Sequence, residues 1–184
     1  MDLKKGLSLV AFGFLFTLVD LNLTIDNATV NCTPDFIGWI LLFLAIGALG
    51  KYTEGKGFLK VASLLLVILS AAVWVIGLLR AEIDISLVKT AVNLLSAVFM
   101  FILFGCLEKV AADFGSSRES TLRILKILSL IENLVFVALP FFITRMSNSM
   151  LVGIVAVMGV ITIVTAVVIA FVLFGLNKEI GEKL

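Results

Sequence analysis

Residues 17–40 read TLVDLNLTIDNATVNCTPDFIGWI, and this stretch decides the fold. An apolar run ends at Asp20, a short polar segment follows, and a second apolar run begins after Pro34. Thr33 can cap a helix, Pro34 suits its first position, and Asp35 complements its positive end. The stretch therefore predicts the end of one helix, a loop and the start of a second helix.

The loop between these two helices has the pattern of a β-hairpin. Apolar residues alternate with Asn22 and Thr24, and the alternation resumes after Asp26 and Asn27, which suit a turn. A small hairpin over the outer end of the helices is the prediction, and an irregular loop is the alternative.

The composition is that of a membrane protein. The chain has 184 residues, of which 61% are hydrophobic and 15% charged, and its mean hydropathy of +1.22 is far above that of a soluble domain. A bilayer-spanning helix needs roughly 20 mostly apolar residues. We therefore predict an all-α bundle of six transmembrane helices that forms one domain over residues 1–184. The predicted spans cover about residues 6–24, 35–50, 58–79, 86–106, 123–144 and 150–176.

The basic residues predict the orientation of this bundle. Of the 14 Lys and Arg residues, Arg80, Lys89 and Arg145 lie in or beside loops three and five and none lies in loop one, whereas the other 11 lie in or beside the termini and loops two and four. Basic residues concentrate on the cytoplasmic side of membrane proteins, so both termini should be cytoplasmic and the hairpin extracellular. The net charge of +1 gives no reason to expect a nucleic-acid partner.

Glu132 is the ionisable residue placed deepest in a predicted span. It lies about nine residues into span five, or roughly 13 Å along the helix, where a charge costs roughly 2.5–3.5 kcal/mol on insertion scales. Asn133 is its neighbour, and Pro140 can kink the helix beyond it. One interpretation is an ion- or proton-linked site. The other is a protonated carboxyl group that hydrogen-bonds Asn93 or Ser96 of span four.

Two more acids lie near the predicted outer face. Asp20 and Asp35 flank the hairpin, and Trp39 follows Asp35 by one helical turn. Together they could form a polar mouth that binds a cation or an amine. The alternatives are that Asp35 stabilises a helix start, that Trp39 is an interface aromatic, and that Asp20 pairs with a basic residue at the same face.

Small residues recur at helical spacing in several spans. Gly6 and Gly13 are seven apart in the first span, and Gly153, Ala156 and Gly159 are three apart in the last. Such seams let helix backbones approach closely in lipid. They predict helix–helix contacts within the chain or with a partner.

Several chemistries are excluded by what the sequence lacks. The chain has no histidine, no Gly-x-Ser-x-Gly elbow, no phosphate-binding loop and no cysteine pair. We predict no metal site, no cofactor and no enzymatic activity, and a mechanism based on carboxylates alone is the remaining catalytic alternative.

The stretch that decides the fold also carries a resemblance. Asp-Leu-Asn at residues 20–22 and Pro-Asp-Phe-Ile-Gly-Trp-Ile at residues 34–40 resemble the pattern of a group of small multi-span membrane proteins of Gram-positive bacteria. The resemblance implies a location in the bacterial plasma membrane and implies no activity. It also singles out Asp20, Asn22 and Asp35 as a unit.

These observations favour a protein that binds or transports a small molecule or cation, alone, as a homo-oligomer or as the membrane subunit of a larger transporter. The candidate ligand-binding residues are Asp20, Asn22, Asp35, Trp39, Asn93, Glu132 and Asn133. The alternative is a non-transporting accessory protein, such as an immunity or regulatory factor, that packs against a membrane protein partner.

Overall fold

The structure is a computed structural model that describes residues 3–18, 22–25, 28–31, 34–53, 55–79, 84–143 and 147–183. The described residues form six α-helices, so the predicted all-helical architecture is confirmed. The helices are α1 (Leu3–Leu18), α2 (Asp35–Leu49), α3 (Lys56–Leu78), α4 (Ser86–Asp113), α5 (Glu119–Ile143) and α6 (Asn148–Lys183). Two short strands, β1 (Asn22–Ile25) and β2 (Ala28–Asn31), join α1 to α2. A 3₁₀ turn, Gly50–Tyr52, follows α2.

Three of the described helices are long and apolar enough to cross a bilayer. They are α3, α4 and the part of α6 from Val152 to Lys183. Their exposed side chains are largely aliphatic, as lipid contact requires. These helices indicate a membrane protein. In contrast, α2 has 15 residues and rises only about 22 Å, which is less than the roughly 30 Å of a bilayer's hydrocarbon core.

The connection between α1 and α2 is an antiparallel hairpin, as the alternating pattern predicts. Asn22 pairs with Asn31, and Ile25 pairs with Ala28. The predicted turn residues, 26 and 27, lie outside the described residues. The predicted first span was wrong at its end, because it extended to residue 24 whereas α1 ends at Leu18. Apolar strand residues raise the hydropathy as much as helical ones do, so hydropathy alone does not separate the two.

α2 begins at Asp35, as the predicted second span does, but Pro34 is not its first residue. Pro34 precedes the helix with extended backbone angles of φ −66° and ψ 123°. Its carbonyl oxygen accepts the backbone N–H of Ile37 at 3.0 Å. Pro34 therefore caps α2 through its backbone instead of occupying the first helical position, and the predicted cap Thr33 lies outside the described residues. Definitions of helix ends commonly differ by this amount.

α1 and α2 approach each other closely at the α1 seam of small residues. A methyl group on Gly38 would lie 2.7 Å from the carbonyl oxygen of Gly13 and 2.9 Å from the backbone nitrogen of Thr17. A methyl group on Gly6 would lie 2.9 Å from the Cβ of Ala48. The predicted seam in the first span is thus a helix–helix contact.

The seam in the last span behaves differently. Neither Gly153 nor Gly159 has a described atom within 4 Å of where a methyl group would be added, and Ala156 is exposed. Among the described residues this seam makes no close helix contact, because the first half of α6 stands away from its neighbours.

The two ends of the chain lie at the same end of the bundle. A methyl group on Gly181, near the end of α6, would lie 2.8 Å from the Nζ atom of Lys4 at the start of α1. The loop between α4 and α5 reaches the same place, since Lys183 donates a hydrogen bond to the backbone carbonyl of Phe114. Arg118 also pairs with Glu179 at 2.9 Å. Polar contacts therefore join the α4–α5 loop to the end of α6, and the start of α1 lies beside that end.

The start of α4 is capped from the preceding loop. The Asp84 carboxylate accepts the backbone N–H of Ser86 at 2.9 Å. This bond, together with one to the Ser86 side chain, holds the pKa of Asp84 below its ordinary value. The carboxylate also offsets the positive end of the helix.

Candidate functional site

A cavity of about 250 Å³ lies where α1, α2, α4, α5 and α6 meet. It is lined by five of the seven residues that the sequence singled out: Asp35, Trp39, Asn93, Glu132 and Asn133. Ser96 and Met100 of α4, Phe136 of α5, Thr17 of α1 and Thr162 of α6 complete much of its wall. We call this cavity the acidic pocket, after its two carboxylates.

Glu132 lies one residue from the middle of the 25-residue helix α5. Its side chain is 5% exposed and its Oε1 atom accepts a hydrogen bond from the Thr165 hydroxyl of α6 at 2.9 Å. The hydrogen-bond partner predicted for a structural role was Asn93 or Ser96 of α4. The described partner lies on α6 instead, while Asn93 and Ser96 line the acidic pocket beside Glu132.

Thr165 is the residue of this site that the sequence interpretation missed. A signal was present, because Thr165 lies three residues after Thr162 and so continues the spacing of Gly153, Ala156 and Gly159. Thr165 is 2% exposed. The seam of α6 thus changes from an exposed glycine face to a buried threonine that contacts the carboxylate of α5.

Asn133 uses one of its two amide N–H donors within its own helix. Its Nδ2 atom donates to the backbone carbonyl of Ser129, one turn earlier, at 2.8 Å. The second N–H of the same amide is still a donor, and the amide oxygen is an acceptor. Asn133 therefore adds both a donor and an acceptor to the acidic pocket.

Asp35 and Trp39 enter the acidic pocket from the first turns of α2. They are four residues apart and lie on one face of the helix. Trp39 is 4% exposed, and its ring meets that of Phe99 on α4 edge to face, with centroids 5.4 Å apart. Trp39 is therefore packed inside the protein, and the interpretation as an interface aromatic is wrong for this residue.

The other two predicted site residues, Asp20 and Asn22, are not among the described residues that line the pocket. Asp20 lies outside them. Asn22 is in β1, where its backbone pairs with Asn31. A unit formed by Asp20, Asn22 and Asp35 stays a prediction.

Pro140 lies within the continuous helix α5. Its effect on the direction of that helix also stays a prediction. What the structure adds is that Glu132 and Pro140 belong to one helix of 25 residues.

The ionisable residues that the structure describes on the wall of the acidic pocket are all acidic. Asp35 and Glu132 are its ionisable residues, and no Lys or Arg is among the described residues that line it. Metal binding of the kind that needs three or more His, Cys, Asp or Glu side chains is not supported, because no such group occurs in the described part of the chain. The pocket can accept hydrogen bonds and attract a positive charge.

A larger cavity of about 390 Å³ lies between α4 and α5 near their polar ends. Glu108, on its wall, accepts hydrogen bonds from Arg123 at 2.7 Å and from Lys126 at 2.8 Å. Its charges are therefore engaged with each other, whereas no Lys or Arg is among the described residues that line the acidic pocket. The acidic pocket is the better candidate for a binding site.

No family model, no curated protein and no solved structure matches the chain. The fold and the site nevertheless define a class: a helical membrane protein with an interior pocket that contains two acids.

Proposed function

We propose that the protein binds a small solute in the acidic pocket and carries it across the membrane, alone, as an oligomer or as the membrane subunit of a larger transporter. The observation that carries the proposal is that Glu132 of α5 and Asp35 of α2 line one interior cavity. Ionisable side chains inside a membrane protein are costly and usually line substrate or ion pathways. A purely structural role for Glu132 would explain its hydrogen bond to Thr165. It would not explain why Asp35 lines the same cavity.

The proposal includes six membrane crossings with both ends in the cytoplasm of a bacterium. The proximity of Lys4 and Gly181 supports it, because an even number of crossings returns the chain to the side where it began. The excess of basic residues at that end supports a cytoplasmic location. The hairpin between α1 and α2 then lies outside.

The test is ligand-dependent stabilisation of the purified full-length chain in detergent. A panel of small amines, amino acids, neutral sugars and carboxylates is screened for a rise in the unfolding temperature, because a ligand that binds only the folded state stabilises it. We expect at least one class to stabilise the protein and Glu132→Gln to remove the effect. Asp113→Asn is the matched control, since Asp113 is 20 residues from Asn93 on α4, or about 30 Å along the helix.

Transport is tested with the solute that stabilises the protein. Proteoliposomes should take up that solute faster than protein-free liposomes, and Glu132→Gln should reduce the uptake. Equal binding and uptake by the wild type and Glu132→Gln would contradict the proposed function.

A second candidate is the accessory role, in which the protein packs against another membrane protein. The observation that favours it is the exposure of the first half of α6, where Val152, Val157 and Val160 are each about 60% or more exposed. Lipid covers such a helix as well as a partner does, so this support is weaker than that of the acidic pocket. Co-purification of one defined partner after mild detergent extraction, with no solute binding, would favour the accessory role.

A further inference from the structure

The carboxyl group of Glu132 has few polar neighbours. Its side chain is 5% exposed, and its Oε1 atom accepts a hydrogen bond from the Thr165 hydroxyl at 2.9 Å. Among the described residues this is the only hydrogen bond of the carboxyl group, and no described Lys or Arg forms an ion pair with it. An ionised carboxylate offers about four acceptor positions. One neutral hydroxyl therefore leaves most of the charged form unsatisfied.

The position of Glu132 makes its charge costly. The proposed topology places the middle of α5, where Glu132 lies, inside the membrane, and a charged side chain at that depth is expensive. Buried acids without a positive partner commonly lose their charge by binding a proton. Proton relays of membrane proteins are built from such acids. The surroundings of Glu132 therefore favour a group that takes up and releases a proton.

The neutral polar groups of the acidic pocket suit both forms of this carboxyl group. Ser96, Asn133 and Thr162 line the pocket together with Glu132. A hydroxyl group donates and accepts, and the Asn133 amide has a second N–H and an oxygen besides the N–H that donates to Ser129. Such groups can donate to an ionised carboxylate and accept from the O–H of a protonated one. The pocket therefore has hydrogen-bonding groups for either protonation state.

The cavity gives a proton a route to Glu132. Its volume of about 250 Å³ is enough for several water molecules, and polar side chains line it on α4, α5 and α6. Water and polar side chains pass protons along hydrogen bonds. A carboxyl group enclosed by apolar side chains would have no such route.

Asp35 is the other titratable residue among the described residues of the pocket wall. It already has a hydrogen-bonding or electrostatic partner, whereas the described partner of Glu132 is the neutral Thr165. The lining residues that the structure describes on α1, α4 and α6 are uncharged. A change of protonation on the described wall therefore belongs to Glu132 or to Asp35, and Asp35→Asn distinguishes the two.

We propose that Glu132 is a proton-binding site and that the proton and the solute occupy it in exchange for each other. When the solute enters, the O–H bond of Glu132 breaks, the proton leaves through the cavity to water, and the carboxylate accepts a hydrogen bond from the solute. When the solute leaves, the carboxylate takes a proton from water and is neutral again. The exchange rests on the proposed function, because it names the ion to which solute movement is coupled, but proton binding by itself does not.

Proton binding is tested without any solute. Infrared spectra of the full-length chain in detergent are recorded over a pH series from mildly acidic to alkaline, and the C=O stretch of neutral carboxyl groups is followed. We expect a band that disappears as the pH rises and that is absent in Glu132→Gln. Asp35→Asn and the control Asp113→Asn should both keep this band. Spectra of the wild type and Glu132→Gln that agree at every pH would overturn the proposal.

A second variant keeps the acid, so this test does not depend on the folding of Glu132→Gln. Thr165→Val removes the hydroxyl that donates to Glu132, and a C=O group that loses a hydrogen bond stretches at a higher frequency. We expect the band to shift to higher frequency in Thr165→Val. The matched control is Thr90→Val, whose lost hydroxyl bonds the backbone of Ser86 instead, and it should leave the band in place. A band that does not shift in Thr165→Val would overturn its assignment to Glu132.

The exchange is tested with the panel of small amines, amino acids, neutral sugars and carboxylates. A solute that exchanges with a proton should bind more weakly as the pH falls below the titration of the Glu132 band, by about tenfold for each pH unit. An affinity that is independent of pH would overturn the exchange and leave solute binding in place. A titrating Glu132 band without binding of any panel member would support the proton site and contradict the proposed function.

Discussion

The Thr165 hydroxyl of α6 donates a hydrogen bond of 2.9 Å to the Glu132 carboxylate of α5, and both side chains are at least 95% buried. This bond links two helices at the wall of the acidic pocket. Thr162, one turn earlier on α6, lines the same pocket, but its buried hydroxyl oxygen has no hydrogen-bond partner among the described residues. Two threonines three residues apart thus have opposite hydrogen-bonding roles.

Thr165→Val should destabilise the protein. Valine keeps the shape of threonine but removes the donor, so the buried Glu132 carboxylate loses its hydrogen bond. The expected loss in the free energy of unfolding is about 1–2 kcal/mol. This lies between the cost of removing a hydrogen bond between membrane helices and the cost of leaving a buried polar group unsatisfied. The measurement is equilibrium unfolding in mixed detergent micelles. Thr165→Ser retains the donor and should recover most of the loss.

Thr162→Val is the matched control for that prediction. The Thr162 hydroxyl oxygen has no partner to lose among the described residues, so replacing it with a methyl group should be neutral or stabilising by up to about 1 kcal/mol. A loss at Thr162→Val equal to that at Thr165→Val would contradict the importance of the bond to Glu132.

The sequence predicted much of the acidic pocket for a simple reason. Polar residues in apolar spans are rare, so Glu132, Asn93 and Asn133 were visible as soon as the spans were drawn. That Asp35 would share their cavity was not predictable, because it depends on how α2 packs against α4 and α5. Hydropathy assigns a residue to a span but not to the neighbour it will face.

The end of α1 could not be predicted from hydropathy alone for a different reason. The residues of β1 include Leu23 and Ile25, which count toward an apolar window like any helical leucine. The period of the pattern was the better guide, since the alternation with Asn22 and Thr24 predicted a strand. For residues 22–24 the hydropathy window predicted a helix and the alternation predicted a strand, and the alternation was right.

Gly38→Ala should destabilise the packing of α1 on α2. The added methyl group would lie 2.5 Å from Thr17 Cγ2 and 2.7 Å from the carbonyl oxygen of Gly13. Backbone atoms cannot move aside as a flexible side chain can, so the helices must separate. The expected loss is about 1–3 kcal/mol, as for other overpacked sites, measured by unfolding in mixed micelles.

Gly47→Ala is the control for Gly38→Ala within the same helix. No described atom lies within 4 Å of a methyl group added to Gly47, and alanine favours a helix over glycine by up to about 1 kcal/mol. This variant should be as stable as the wild type or more so. A loss as large as that of Gly38→Ala would attribute the effect to the loss of glycine and not to the contact with α1.

Gly175→Ala should disturb the contact between the α4–α5 loop and α6. The Arg118 guanidinium lies directly over Gly175, so an added methyl group would displace it. Arg118 pairs with Glu179 at 2.9 Å, with both side chains about one-third exposed. Losing such a pair costs no more than about 1 kcal/mol. The unfolding free energy should fall by that amount in Gly175→Ala.

A double-mutant cycle tests whether Arg118 transmits this effect. Once Arg118→Ala has removed the guanidinium, Gly175→Ala should cost nothing further, since the obstruction is gone. Gly105→Ala, where an added methyl group meets no described atom within 4 Å, is the neutral reference. Fully additive losses in the cycle would show that Gly175 acts independently of Arg118.

The proposed orientation predicts that Lys51 and Arg118 face the same side of the membrane. Both residues lie in loops that carry the excess of basic charge, so both should be cytoplasmic. Single-cysteine variants at these positions, made after replacing Cys32 and Cys106, should react with a membrane-impermeant maleimide only when the cells are permeabilised. Asp84→Cys, in the loop before α4, should react in intact cells and so serves as the opposite reference. Labelling of Lys51→Cys and Arg118→Cys from opposite sides of the membrane would rule out this topology. In the proposed order, α3 and α4 are two crossings between these positions, and two crossings return the chain to the side where it started.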